Sequence, residues 1–221
     1  YYIKSRAKNI NLSLDLLGEF VGAPLLGAKT IESEKGVIFE EIAMYEDDPS
    51  IKIHEVFEEL IYEGTDLGRP VIGSKKTVRA AKRKDFQEFM GQNYVPKRIV
   101  VSVAGKFNKR EVLALTERSL GSLEPASYVG ARRGSPSAHH LRSAEPKVRV
   151  EKKKTEQAHI ILGVIGNPLG HPDRYKEMVL ASILGGGMSS RLFTEVREKR
   201  GLAYSIKCYN ENFMDTGNIH V

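Results

Sequence analysis

Most of the first 93 residues carry apolar side chains at helical spacing, and strand character arrives only afterwards. Leu12, Leu16, Leu17 and Phe20 share one face of LSLDLLGEFVG, a helix that starts at Asn11 or Ser13 and ends before Pro24. A second helix is expected from about Lys29 to Glu46, where Ile31, Val37, Ile38, Ile42 and Met44 recur at loosely helical intervals. Asp47-Asp48-Pro49 stops it. Residues 51–64, IKIHEVFEELIYEG, and residues 83–93 give two more helical patterns. Residues 1–6 read as the end of a strand, and RIVVSVAGKF, from Arg98, reads as a buried strand because it is rich in Val. Asn108 is placed to cap the next helix, KREVLALTERSL. Helices, then strand, then helix is the order of an α+β fold rather than of alternating βαβ units.

Residues 122–145 change character, with Gly, Pro, Ser and Arg dominating as in a linker. The expected organisation is a first module over residues 1–124, a linker over 125–145 and a second module over 146–221. The second module opens with a strand in AHIILGVIG, from Ala158, and a helix DRYKEMVLASILG with Asp173 as its N-cap. A glycine triplet, a short helix SSRLFTEVREKR, a strand beginning near Ala203 and a last strand in DTGNIHV follow. That is too little chain to close a second sheet, so both modules are expected to be incomplete. The first residues, YYIKSRAKNINL, lack an initiator Met, an apolar run and a small-residue cleavage site, and do not make a signal peptide.

The net charge of +6 invites a nucleic-acid reading, but its distribution argues against one. Much of the excess lies in Arg132, Arg133, Arg142, Lys147, Arg149, Lys152, Lys153 and Lys154, with no interleaved aromatic platform and no helical stripe. A solvated linker is the expected setting, and neither nucleic acid nor membrane is an expected partner. No apolar run approaches the ~20 residues that span a bilayer. The single Cys208 excludes an internal disulfide framework and a thiolate-rich zinc site. The cysteine count leaves the compartment open; the bacterial cytoplasm is the expected one, with the periplasm as the alternative.

Two segments carry the chemistry. Glu32, Glu34, Glu40, Glu41, Glu46, Asp47 and Asp48 crowd one helix, opposed by Lys35 alone. Glu34 and Glu41 lie about two turns apart, so their carboxylates leave the same face about 10 Å apart along the axis. One can meet a metal while the other stands near it, and the same spacing equally suits a solvated acidic face. In GGGMSSRLFTEVREKRGLAYSI, residues 185–206, Ser189 or Ser190 can cap the helix, Arg197 lies in its last turns and Gly201 can end it in a left-handed cap. Arg197 and Tyr204 beside a cleft could donate to a carbonyl or an oxyanion, although a glycine triplet is also consistent with plain packing. His54, His139, His140, His159, His171 and His220 form no i, i+4 pair, and neither HExxH nor HxxEH occurs. His54 and Glu58 have the spacing of a surface pair on a helix. His139-His140 falls in the expected linker.

EKGVIFEEIAMYEDDP, residues 34–49, resembles the helix that follows the HxxEH motif in pitrilysin/insulinase-type zinc metallopeptidases. GGGMSSRLFTEVREKRGLAY, residues 185–204, resembles the Arg/Tyr segment in the second domain of that family. Order and separation fit along essentially the whole chain, which looks most like bacterial relatives of mitochondrial processing peptidase. The resemblance implies two related α+β modules, each an antiparallel-rich sheet with helices on one face.

It also implies that Glu41 is the third zinc ligand and that Glu34 supports the site without holding metal. Arg197 and Tyr204 would contact the substrate backbone and steady the tetrahedral intermediate. The HxxEH motif would supply two His ligands and a general-base Glu, and in family members it precedes a segment like this chain's first residues. The chain is thus expected to be a fragment, inactive by itself, of a zinc endopeptidase that cleaves peptides or presequence-like segments by metal-activated water. The family's two halves close like a clamshell, so a homodimer or paired half-subunit is expected, with Arg197 and Tyr204 completing a partner's site. An acidic chamber wall would favour basic, unfolded peptides. The alternative is a non-catalytic homologue serving as partner or scaffold subunit of a peptidase complex.

Overall fold

The computed structural model describes residues 1–123 and 146–221, so the whole expected linker, 125–145, with His139 and His140, lies outside the described residues. The chain falls into two compact units, Tyr1–Phe39 with Lys75–Arg132, and Glu40–Ser74 with Arg133–Val221.

The first unit is helical. It contains α1 (Ile10–Gly22), the first half of α2 (Ala28–Asp47), α4 (Lys75–Ala80), α5 (Arg83–Asn93) and α6 (Lys109–Leu120); α3 (Pro49–Ile61) belongs to the second unit. Asn108 caps α6 as expected, its side-chain oxygen accepting from the amides of Arg110 (2.9 Å) and Glu111 (3.3 Å). Asp85 closes the start of α5 by accepting from the Lys82 amide at 2.7 Å. The core is the α1–α6 seam, where Leu14, Val112 and Leu115 are buried and Ile10 and Val103 pack on them. Each such buried side chain contributes roughly 1.5–3 kcal/mol.

RIVVSVAGKF does not form the expected strand. Pro96–Arg98 make a 3-10 turn, and residues 99–104 join no ladder among the described residues, nor do residues 1–6. Val-rich composition favours a pleated surface, but a strand is held by a neighbour's backbone. Without one, Val100 stays 88% exposed and only Val103 turns into the core.

The second unit supplies the sheet of the α+β fold. It holds the second half of α2, then α3 (Pro49–Ile61), β1 (Gly163–Gly166), α7 (Arg174–Gly185), β2 (Tyr209–Asn212) and β3 (Gly217–His220). Asp48 starts α3, accepting from the Ser50 amide at 2.8 Å and its hydroxyl at 2.6 Å, with Pro49 at the first helical position. The strands are antiparallel in the order β1-β3-β2. Ile165 and Glu211 both stand opposite Asn218, and Gly163 and Tyr209 both stand opposite His220. The expected strands from Ala158 and near Ala203 are therefore shorter and later. Leu162 still pairs with Val221, and residues before it have no ladder partner among the described residues.

Tyr62, fully buried, packs beside Ile61, Leu67, Ile165 and Phe213. Its hydroxyl accepts from Asn218 Nδ2 at 2.9 Å, and the same amide donates to Glu211 Oε2 at 3.0 Å. That fixes Asn218 Oδ1 toward His220, so the imidazole Nδ1–H donates to it at 2.6 Å. Glu177 of α7 fastens the other edge, accepting from the Asn167 amide and side chain and from Asn210 Nδ2. Gly185 lets α7 lie directly on the chain before β2, since a Cβ there would collide with the Cys208 amide.

Candidate functional site

Glu41 leaves α2 at an acidic cavity of about 370 Å³. Glu55, Glu58 and Glu59 of α3 line it with Tyr45 and the Leu67–Ile72 loop. The spacing of α3 puts Glu55, Glu58 and Glu59 on neighbouring turns of one face. Two of these carboxylates are neutralised: Glu55 by Lys52 at 2.9 Å and Glu59 by Arg149 at 2.9 Å. Glu58 is half-buried, and burial, then Glu211 and Glu55, pushes its carboxyl above the usual range. Glu41 has no cation among the described residues. Its Oε1 accepts only the Tyr45 hydroxyl at 3.0 Å, a contact that raises the Tyr45 phenol above its ordinary value.

Where it is described, the basic run is exposed, as expected of a solvated stretch, but several of its charges are paired. Lys147 pairs with Glu63 at 2.5 Å, Arg149 with Glu59, and Lys153 donates to the carbonyls of Glu46 and Asp47 at the end of α2. Positive charge that looked free in the sequence lies along the acidic helices. His54 differs too. Its exposed ring stands edge-on to His220, with centroids 5.6 Å apart, rather than pairing with Glu58.

Glu34 sits in the first unit, exposed, on an apolar cavity of about 600 Å³ formed by Leu25, Leu26, Ile31, Ile38, Val78 and Phe86. Beside it, Lys35 is buried and held by Glu32 at 2.7 Å and the Arg79 carbonyl at 3.3 Å. Glu34 and Glu41 thus share α2 but have different surroundings.

Arg197 lies in a π-helical turn, Phe193–Glu198, rather than in an ordinary helix end. Its widened register is seen in the Lys199 amide donating to the Thr194 carbonyl at 3.0 Å. Gly201, at φ +60°, ends the turn as expected, donating to the Arg197 carbonyl at 3.1 Å while Leu202 donates to Val196 at 3.1 Å. That left-handed residue folds the chain back, so Tyr204 stands over the Arg197 guanidinium at 5.1 Å. On its other contact the guanidinium covers the Phe193 ring at 4.8 Å. The structure therefore joins Arg197 to Tyr204. The lining of the Glu41 cavity includes neither. Tyr45 and Phe193 were not singled out by the sequence, and Glu58 only as a surface partner of His54, because their importance comes from neighbours rather than from a motif.

Zinc is the metal that the sequence resemblance implies. Among the described residues no group of three or more His, Cys, Asp or Glu is placed to hold a metal ion. The exposed carboxylate of Glu41, with one oxygen steadied by a phenol, fits one ligand in a set of about three. No helix among the described residues is long and apolar enough to cross a membrane.

Helices with a small antiparallel sheet, an acidic helix and an Arg/Tyr turn define a metallopeptidase-like fold. Residues 80–221 match the family described as peptidase M16 inactive domain, and residues 1–75 match insulinase (peptidase family M16). The chain belongs to the M16, or insulinase, peptidase family. An uncharacterized zinc protease of Streptomyces coelicolor is 39% identical over 98% of this chain and 48% of its own length. One of Bacillus subtilis is 34% identical over 100% of this chain and 52% of its own length. The chain spans about half the length of the curated relatives it matches. In fold it is similar to a protease from Helicobacter pylori (TM-score 0.77, 23% identity, 98% of this chain and 52% of that one). A Pseudomonas fluorescens peptidase M16 inactive domain gives TM-score 0.74 at 22% identity, over 94% of this chain and 49% of that one.

Proposed function

We propose that this chain is part of a zinc-dependent endopeptidase in which Glu41 is a metal ligand and Arg197 and Tyr204 bind the substrate backbone. The observation that carries the reading is Glu41 itself. It faces a cavity, is exposed, and alone with Glu58 among the cavity glutamates has no cation among the described residues, while Glu58 is half-buried with a raised carboxyl. Zinc, held there together with two histidines outside this sequence, would supply Lewis-acid activation of a water at neutral pH. The chain's own residues do the rest. Arg197 and Tyr204 donate to the carbonyl oxygen of the scissile bond as negative charge grows on it. The acidic cavity attracts cationic side chains of an unfolded peptide.

The protein acts as a dimer or paired half-subunit, with the Arg197–Tyr204 pair serving the partner's site. The test uses the full-length protein. Glu41→Gln should lower bound zinc, and mixing it with Arg197→Ala should restore cleavage of a basic peptide through hybrid dimers. Unchanged zinc content would remove Glu41 from the ligand set, and no recovery on mixing would remove the shared site.

A second reading, a non-catalytic partner subunit, is favoured by the inactive-domain description of the family matching residues 80–221. The full-length sequence separates the two. An intact HxxEH before Tyr1 supports the peptidase, and a degenerate one supports the partner subunit.

A further inference from the structure

We infer that Phe193 is a positioning residue for Arg197, holding its guanidinium stacked and unpaired so that its N–H edges are free for a substrate carbonyl. The inference rests on the proposed role of Arg197. Three observations carry it. The guanidinium lies over two rings, Phe193 at 4.8 Å and Tyr204 at 5.1 Å. No acceptor meets it among the described residues, although Arg197 is half-buried. The two carboxylates of the same turn leave it free: Glu195 pairs with Lys199 at 2.6 Å and with Arg200 at 3.0 Å, and the adjacent Glu198 is exposed and makes no ion pair with Arg197 among the described residues.

The contrast with Arg174 shows what stacking alone achieves. Arg174 also covers a ring, Tyr175 at 4.6 Å, but its N–H groups are spent on the Leu169 carbonyl and the Tyr175 hydroxyl. An aromatic face attracts a cation without accepting any of its in-plane hydrogen bonds. Two faces orient the guanidinium plane and leave its donors in place for an incoming oxygen. A carboxylate would hold Arg197 as firmly but would occupy the fork it needs. The π-turn provides the spacing, because Phe193 and Arg197 fall on adjacent levels of one widened turn while Gly201 returns Tyr204 to the guanidinium. Phe193 itself is half-buried, so its ring is a fixed platform rather than a free side chain.

The experiment measures kcat/KM of the full-length protein on a quenched fluorescent basic peptide for Phe193→Leu, Phe193→Trp, Arg197→Ala and the double variant Phe193→Leu/Arg197→Ala. Phe193→Leu should lower kcat/KM about tenfold, mainly through kcat, as expected for a lost cation–π platform. Phe193→Trp should restore most of it. In the Arg197→Ala background Phe193→Leu should have no further effect, because a residue that acts through Arg197 has nothing left to act on. A Phe193→Leu loss that persists in that background, or that Trp does not rescue, makes the ring a packing residue and overturns the inference. A silent Phe193→Leu beside a damaged Arg197→Ala also overturns it. If Arg197→Ala itself is silent, the proposed role of Arg197 fails, which is a separate outcome.

Discussion

Glu41 and Arg197 are held in place in opposite ways. Glu41 lies on a cavity whose other wall, α3, is locked to the sheet by Tyr62, Asn218, Glu211 and His220, with the Tyr62–Asn218 bond joining residues 156 positions apart. Glu58 of that wall feels Glu211 of the sheet directly. Arg197 is held by ten or so consecutive residues: a π-turn, a left-handed glycine and two rings. One region depends on a distant buried network, the other on local chain geometry. The first should therefore fail with the fold, and the second should fail only with its own residues.

Four measurements test that contrast. The largest effect is expected for Arg197→Ala in the full-length protein, a loss in kcat of about 10²–10³-fold, as for removal of one oxyanion donor. Its melting temperature should stay close to wild type, because the side chain makes only ring contacts. A large drop in stability would show that the turn is not locally self-sufficient. Asn218→Leu comes next. It strips Tyr62, Glu211 and His220 of their common partner and should cost about 2–4 kcal/mol in denaturant unfolding. The side-chain NMR signal of Arg197 should not move in that variant, and a shift would couple the two regions. Gly185→Ala, which drives a methyl group into the Cys208 amide, should cost about 1–3 kcal/mol of the same kind.

The smallest effect is a pH dependence. His220 is buried, its Nε2 has no hydrogen-bond partner among the described residues, and burial holds its pKa below the ordinary value. Glu211 opposes that shift and His54 adds to it. A histidine with a lowered folded pKa makes a stability contribution that is present above the unfolded value, near ~6.5, and lost as pH falls through the folded one. Glu58, with a raised carboxyl, contributes in the opposite sense. Its share is present below its unfolded value and lost as pH rises through the folded one. The His220 share should therefore lower the urea midpoint on acidification from pH 7 toward pH 5 against the Glu58 share, so His220→Gln should raise the midpoint at pH 5 relative to pH 7 and Glu58→Gln should do the reverse. An unchanged slope would place the titrating group elsewhere.

The helices were largely legible from sequence. α1, α2, α5 and α6 lie within a few residues of their apolar patterns, and α3 and α7 follow their caps and breakers. Asn108 and Gly201 do what their residue types predict, because capping and left-handed turns are decided by adjacent backbone. Strands were less legible. RIVVSVAGKF has strand composition without a partner among the described residues, and β1 and β2 begin only where β3 is available to pair. At the candidate site, Glu41 stood out in the acidic helix and Arg197 with Tyr204 in the glycine-flanked segment. Tyr45 and Phe193 did not, since an ordinary aromatic at helical spacing looks like core until its neighbour is known.

By itself, then, the sequence determined where the longer helices start and stop, the turn at Gly201, and the two motifs that mark the M16 family. Those are written in contacts between residues a few positions apart, where backbone hydrogen bonds and side-chain periodicity act. Only the tertiary structure decided that Lys147, Arg149 and Lys153 neutralise the acidic helices, and that Asn218 gathers Tyr62, Glu211 and His220. It also decided that two rings hold Arg197 without an acceptor among the described residues. Those pairings depend on which surfaces the fold brings within a few ångströms, and side-chain chemistry alone names many candidate partners for each of them.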